Sequence, residues 1–368
     1  MQFFDDLKVR VIKELHLRCG FQLSDGSFAA GHNGPYNDEE TPIRNTSHML
    51  YALCDAYQST GDKKFLRAAE RALTYLLNNE HVTCQGFYIC RVSQSKDATN
   101  GVIGHAWLIE ALLKASTHFG GEARKAAEKL WSLHHFDYTV GAWAKPAIGN
   151  SSASYDHTFN HQLWFAACAA ELGGDEVYRQ ITCFIEKNVS RVVTYKNGVL
   201  YHNTPVGSWF NWLKIDPEMG FRKLLGPVKN RKQKSRMYLH SAGYHTFNLY
   251  AFSMLAKAGY REALYKAFDI NSLLICVRNE QFESDLLNLK KIGVQYNPSG
   301  VEAAYALKIL GDQEDSAMIC NWLKFQLRET SCNGGILVKN SPDKATSAAR
   351  VYEGMRLFES VSMKNIVA

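Results

Sequence analysis

Six stretches spread along the whole chain share one design: TPIRNTSHMLYALCDAY (41–57), DATNGVIGHAWLIEALLKA (97–115), YDHTFNHQLWFAACAAEL (155–172), LHSAGYHTFNLYAFSMLAKAG (239–259), YNPSGVEAAYALKILG (296–311) and ATSAARVYEGMRLFESV (345–361). Each has Ser, Thr, Asp or Asn near its start, residues whose short side chains accept from the free N–H groups of a helix's first turn. Each then becomes apolar nearly all round, and a helix without a polar face has to be buried. Between them lie MQFFDDLKVRVIKELHLR, KKFLRAAERALTYLLNN, GEARKAAEKLWSLHH, DEVYRQITCFIEKN, YREALYKAFDINSLL and EDSAMICNWLKFQLRE, apolar at helical spacing on one face and charged on the other. These read as surface helices. Outer and inner helices alternating six times predict an all-α fold, an (α/α)6 barrel of six helical hairpins with an inner ring wrapped by an outer one.

The connections are unequal. Inner-to-outer crossings are tight, as in STGDKK and FGGEA, whereas outer-to-inner crossings take roughly 15 to 40 residues, as expected when function sits on loops over a rigid scaffold. Five long crossings carry a Gly followed by an apolar run: DGSF, QGFYIC, VGAW, NGVLYH and GGILV. Such runs predict short β pieces packed over one end of the barrel. With 46% hydrophobic residues in 368, the chain can bury one large core, and residues 1–368 are expected to form a single domain.

Several functional classes are disfavoured. The N-terminus carries Asp5 and Asp6 and no signal-peptide apolar stretch, and no run approaches the ~20 residues of a membrane span, so a cytoplasmic protein is expected. Nine scattered cysteines without a CxxC pair favour reduced thiols and give no zinc site. No HExxH or acidic trio is present, and the GxG pieces lack the strand and spacing of a nucleotide fingerprint, so neither metal nor other cofactor is expected. The net charge of +6 comes partly from RKLLGPVKNRKQKSR (222–236), either a solvated loop or a basic rim that draws an acidic ligand inward. No nucleic-acid-binding motif accompanies it.

In such a barrel the long loops and the inner-helix N-termini converge on one funnel. At about 100° per residue, Asp156, His157, Asn160, His161 and Trp164 fall within an arc of about 140°. Ser241, Tyr244, His245 and Asn248 likewise share a face, and a helix N-terminus behind each group favours negative charge. Other inner segments bring His48, Asn100, His105, Trp107, Tyr296, Glu302, Arg350 and Glu353. Taken singly, Asp156 could be an N-cap, each histidine a hydrogen-bonded core residue, and each of Trp107, Trp143, Trp164, Trp209 and Trp212 plain core. Aromatic residues beside a funnel also suit stacking on sugar rings.

With these polar openings the chain resembles the six-hairpin glycosidase superfamily, notably the unsaturated glucuronyl and rhamnogalacturonyl hydrolases. N-acylglucosamine 2-epimerases, glucuronyl epimerases and several polysaccharide lyases use similar barrels. Gly104-His105-Ala106-Trp107 is similar to the hydrolases' Gly-Gln-Ala-Trp segment, with His105 in place of Gln and Ile103 where they carry Arg. The resemblance implies an Asp at an inner-helix start acting as general acid and base, matched best by Asp156 and next by Asp97.

Three functions are therefore weighed. The first is hydrolysis of an acidic, uronate-containing oligosaccharide or glycan intermediate, with Asp156 as acid/base, His157, His161 and His245 assisting, and Arg350 near the substrate carboxylate. The second is an epimerase or lyase drawing a proton from beside a carbonyl or carboxylate, with Tyr244, His245, Tyr296 and His105 as candidates. The third is glycan binding without turnover.

Overall fold

A computed structural model describes residues 2–78, 80–92, 96–146, 148, 154–207, 231–289 and 292–359. The apolar stretches become the inner helices α2 (Ile43–Thr60), α4 (Ile103–Phe119), α6 (Phe159–Ala169), α8 (Arg231–Leu255) and α12 (Ser299–Leu310), followed by the short pair α14 (Lys344–Ala349) and α15 (Tyr352–Met355). The amphipathic stretches become α1 (Gln2–Arg18), α3 (Lys63–Leu77), α5 (Gly121–Ser132), α7 (Asp175–Lys187), α9 (Arg261–Ala267) with α10 (Ile270–Leu274), and α13 (Ser316–Thr330). A further short helix, α11 (Gln281–Leu287), lies in the crossing between α10 and α12. Each inner helix packs on the next, α2 on α4, α4 on α6, α6 on α8, α8 on α12 and α12 on α15, and α14 and α15 return to α2. The ring is closed, and α1 seals the seam by packing on both α2 and α15. This is the (α/α)6 barrel.

Burial follows the sequence pattern. In α3 the buried residues are Phe65, Ala68, Ala69, Ala72, Leu73 and Leu76, the 3–4 spacing of one helical stripe, whereas in α4 nearly every residue from Ile103 to Ala115 is buried. Trp143 is fully enclosed, with the rings of Trp131, Phe136, Phe165 and Phe184 within 6 Å. Burying one such side chain contributes on the order of 1.5–3 kcal/mol. The outer element after α8 breaks between α9 and α10 because Phe268 is extended and Asp269 caps a new helix through the Ser272 N–H.

The Gly-led runs form the short β pieces expected at the looped end, most of them no more than single bridges. Only VGAW belongs to a sheet, in which β2 (Ala142–Lys145) pairs antiparallel with β1 (Phe136–Asp137) and β3 (Ser154–Tyr155), with Phe136 opposite Trp143 and Ala144 opposite Tyr155. QGFYIC, NGVLYH and GGILV make single bridges, and DGSF closes a turn without pairing. In four of the five runs one backbone N–H goes to an inner-helix side chain. Two residues after Gly26, Gly86, Gly141 and Gly198, the N–H groups of Phe28, Tyr88, Trp143 and Leu200 donate to Thr46 Oγ1, His105 Nε2, Gln162 Oε1 and His245 Nδ1, at 2.9–3.1 Å. All four glycines lie in the left-handed region, φ 72–95°, which turns the chain back over the helix end. Four repeats thus use one device to dock a loop on the barrel.

Residues 222–230 of the basic segment, with Trp209 and Trp212, lie outside the described residues, and the segment's last residues, from Arg231, are the start of α8. No described helix is long and apolar enough to cross a membrane. All nine cysteines are free thiols.

Candidate functional site

A cavity of about 280 Å³ opens at the looped end of the barrel, near the lower limit of the ~300–1,000 Å³ usual for small-molecule sites. Its walls come from the loop before α2 (Asn33, Tyr36, Asp38), the crossing before α4 (Arg91, Lys96, Asn100), the starts of α2, α4 and α6, the loop residue His202, and α8 (Tyr244, Phe247). Tyr296, Asn297 and Arg350 complete it.

One imidazole is held with a free nitrogen. His161 lines the cavity, with 23% of its side chain exposed, and its Nδ1 hydrogen-bonds to Asp156 Oδ2 at 2.8 Å. Nε2 has no protein partner among the described residues. Asp156 itself does not reach the cavity. Its Oδ1 accepts from the Thr158 N–H at 3.0 Å, and its Oδ2 accepts from the Val102 N–H, at the N-terminus of α4, also at 3.0 Å. Burial raises the pKa of such a carboxyl, but the charge and hydrogen bond of His161 and the two backbone donors outweigh it and hold Asp156 at about 2. It is a permanent carboxylate at neutral pH, unsuited to the expected role of general acid, and its geometry is that of a residue orienting His161. Asn100 and Gly101 both adopt left-handed backbone (φ 58° and 64°) to bring Val102 there, and a Cβ on Gly101 would stand 1.8 Å from Asp156 Oδ2.

The lining also carries His202 and two tyrosines. The His202 ring lies 4.2 Å from His240 and 4.5 Å from Tyr244, and burial, then His240 and His161, lower it to about 3, so it is neutral. Tyr36 and Tyr244 share a hydrogen bond through their hydroxyls, joining the loop before α2 to α8. Burial raises both, keeping them as phenols.

Two guanidiniums complete the lining. Arg350 is nearly saturated: Nε bonds Glu353 and Nη2 bonds Glu302, both at 2.7 Å, and Nη1 bonds Asn297 Oδ1 at 2.7 Å and Tyr296 O at 3.1 Å. Burial pushes Glu302 up to about 8 against the pull of Arg350, and Glu353 is raised for the same reason. Arg44 lies with its guanidinium carbon 4.3 Å from the Trp107 ring centroid. Its Nη1 donates to Glu40, Tyr296 and Asn33. Asp38, whose carboxylate contacts Lys96, Asn33 and more distantly Arg91, is kept ionised: burial opposes this and Lys96 leads the groups that favour it.

The residues expected at the site divide. Asn100, Trp107, Asn160, His161, Tyr244, Tyr296 and Arg350 line the cavity. His245 and His105 do not: His245 accepts from Leu200 and bonds Leu273 O, and His105 bonds Tyr88 and His134, so both nitrogens of each are used within the core. Burial lowers each to about 4. Trp164 is core, donating to Phe247 O. Asn248 bonds Tyr244 O from below, and Glu302 and Glu353 support Arg350 without lining the cavity. His48 is buried against Tyr352 and Trp107. His157 is exposed beside Tyr155, and Asp97 folds its own loop through Thr99 and Gly101. Asn33, Tyr36, Asp38, Arg44, Arg91, Lys96 and His202 escaped the sequence reading. A partial signal existed in NGPYNDEE (33–40), a polar loop with Asn33 and Asn37 in left-handed conformation. Among the described residues no group of three or more His, Cys, Asp or Glu side chains could hold a metal ion.

No protein-family model matches the chain. Over 349 residues it is 32% identical to archaeal glycosylation protein Q of Haloferax volcanii, covering 91% of this chain and 93% of that protein. Solved structures with the same fold include a sugar epimerase from a ruminal bacterium (TM-score 0.63, 12% identity, 98% of this chain and 100% of that one). A D-mannose isomerase aligns with TM-score 0.61 and 15% identity over 96% and 98% of the two chains. An α-1,6-mannanase of Salegentibacter sp. HEL1_6 aligns with TM-score 0.54 and 14% identity over 95% and 99%. At such identities the likeness is one of fold.

Proposed function

This chain belongs to the family of archaeal glycosylation protein Q, and on that premise we propose that it is a carbohydrate-active enzyme that modifies a saccharide unit of a glycan or glycan precursor by proton transfer at His161. The observation that carries the reading is the Asp156–His161 pair, with Nδ1 tied at 2.8 Å and Nε2 left toward the cavity. An imidazole oriented in this way, with one nitrogen free, is suited to act as a general base. Nε2 takes the proton from the carbon beside the sugar's carbonyl or carboxylate group. The negative charge that develops on the adjacent oxygen is met by the cationic lining. The Tyr36–Tyr244 hydroxyls, kept as phenols, also line the cavity and can return a proton. The reaction class is epimerisation or isomerisation.

The lining supports this reading over hydrolysis. Glycoside hydrolysis ordinarily needs two carboxyl groups, one able to give a proton. Among the described residues Asp38 is the single carboxylate in the lining, and Lys96 and Asn33 hold it ionised.

The test is incubation with candidate saccharides in deuterated water, followed by mass spectrometry and NMR of the sugar. Deuterium should enter at one carbon, and His161→Ala should abolish its incorporation. Release of reducing sugar without deuterium at carbon would replace this reading with hydrolysis, and binding without either would replace it with a glycan-binding role.

A further inference from the structure

Beneath the cavity floor, in the axis of the barrel, several buried polar groups stand together unpaired. Arg44 and His48 lie four residues apart on one face of α2, and both lean on the indole of Trp107. The guanidinium carbon is 4.3 Å from its ring centroid, and the imidazole meets it edge-on at 5.2 Å. The His48 ring also stacks on Tyr352, at 4.4 Å and 9°. Glu353 follows Tyr352 on α15, and Arg44, Arg350 and Arg356 act electrostatically on both His48 and Glu353, which sets the two in one neighbourhood. Arg44, His48, Tyr352 and Glu353 are each 4% exposed or less. Yet Arg44 Nε, both ring nitrogens of His48, the Tyr352 hydroxyl and Glu353 Oε2 have no protein partner among the described residues. His105 and His245, equally buried, have both nitrogens bonded. Buried polar atoms left unpaired are costly, so a cluster of them marks a place where something else bonds.

Charge and chemistry decide what bonds there. The guanidiniums of Arg44, Arg350 and Arg356 are matched by four carboxyls bonded to them, those of Glu40, Glu302, Glu353 and Glu110. Burial pushes Glu302 up to about 8, so one of the four keeps its proton at neutral pH and the charges balance. An ion of either sign would upset that balance in a low-dielectric interior, and a neutral molecule does not. Burial, then Arg44, Arg350 and Arg356, hold His48 neutral, with one N–H to give and one lone pair to accept. Tyr352 likewise gives and accepts, Arg44 Nε gives, and Glu353 Oε2 accepts. His48, Tyr352 and Glu353 do not line the cavity, so a substrate held there does not reach them. A small neutral molecule that both donates and accepts is water, and a chain of 368 residues holds on the order of ten buried waters, each with two to four polar partners. We infer that bound water fills the barrel axis beneath the cavity floor, bridging Arg44 Nε to His48 and linking both to Tyr352 and Glu353, and that His48 is a positioning residue that sets the plane of Arg44 through this water. Glu40 holds the guanidinium from Nη1 and the water holds it from Nε, so Arg44 keeps one orientation in the cavity wall.

The experiment is a crystal structure of the full-length protein at a resolution that shows ordered water, joined to urea titration of one variant. Water density should lie within hydrogen-bond distance of both Arg44 Nε and a His48 nitrogen, and its absence there overturns the inference. This observation uses only the unaltered protein and does not depend on any variant folding. Tyr352→Phe deletes a single oxygen. In a hydrated site that loses a hydrogen bond and lowers the urea midpoint. In a dry site it removes an unpaired hydroxyl from apolar surroundings, and a midpoint that stays or rises overturns the inference. The role of His48 is read by nitrogen NMR of Arg44 Nε. His48→Phe keeps a ring but no polar atom and should shift that signal, whereas His48→Gln keeps a donor and an acceptor and should restore it toward the unaltered position. A signal that His48→Phe leaves in place, or that both variants shift alike, overturns the positioning role.

Discussion

Asp156 accepts from His161 Nδ1 at 2.8 Å and from the Val102 backbone N–H at 3.0 Å, so one carboxylate fixes both an imidazole and the start of the neighbouring helix α4. Two adjacent inner helices are thereby locked in register at the point where the cavity opens.

Asp156→Asn keeps the size of the side chain but substitutes an amide for the ionised acceptor. If Asp156 orients His161, kcat should fall roughly 10²- to 10⁴-fold with KM changed little, the usual worth of a correctly held acid–base group. Nitrogen NMR should show His161 protonated at Nδ1 in the unaltered protein and a mixed tautomer in the variant. Unchanged kcat would leave Asp156 as a purely structural clamp.

Gly101→Ala tests the same arrangement without touching either partner. The new Cβ would meet Asp156 Oδ2 at 1.8 Å and His161 Nδ1 at 2.6 Å, at a residue whose φ of 64° is unfavourable for any side chain. The expected result is a stability loss of roughly 1–3 kcal/mol by denaturant titration, with activity reduced beyond what the folded fraction explains.

The three inner-helix histidines should separate cleanly. His245→Ala leaves the Leu200 N–H and the Leu273 carbonyl unpaired in the core and should cost about 1–3 kcal/mol, with turnover nearly normal at a temperature where the variant is folded. His105→Ala should behave alike. His161→Ala removes the charge and hydrogen bond that help hold Asp156 ionised, so it should also cost about 1–2 kcal/mol, but it alone should lose turnover. Melting temperature and rate measured together decide the matter, and an active His161→Ala would remove that residue from the mechanism.

Acid stability follows from two groups. Asp156 titrates at about 2 when folded against an ordinary 3.8, so its contribution is fully present above pH 3.8 and is lost as pH falls through 2, amounting to about 2 kcal/mol. His202 is lowered from 6.5 to about 3. The unfolded chain binds that proton first, so stability declines as pH falls from 6.5 toward 3. Urea midpoints measured between pH 7 and pH 2 should drop first below pH 6.5, from His202, and further below pH 3.8, from Asp156, and His202→Gln should flatten the upper part of the curve. A midpoint constant from pH 7 to pH 4 would contradict the neutral state of His202.

The alternation of amphipathic and wholly apolar helices, repeated six times, was enough to specify a closed two-layer ring, because each helix's hydrophobic face fixes how many sides it can bury. The tight and long crossings, read in order, also placed the functional end. Periodicity could not distinguish His105 and His245 from His161. His105 and His161 stand in the first turns of inner helices and His245 midway along α8, and a rotation of one residue moves a side chain about 100°. What separates them is the atom that arrives from elsewhere: the N–H of Tyr88 or Leu200, two residues after a left-handed glycine, occupies the first two, whereas Asp156 claims only one nitrogen of the third. The Gly-led runs looked like strands because a docked extended loop and a strand share the same local composition, and only the identity of the hydrogen-bond partner tells them apart. The irregular segment bearing Asn33, Tyr36 and Asp38 has no period to read. Its place on the cavity wall depends on contacts as remote as Tyr36 with Tyr244, which exist only once the ring has closed.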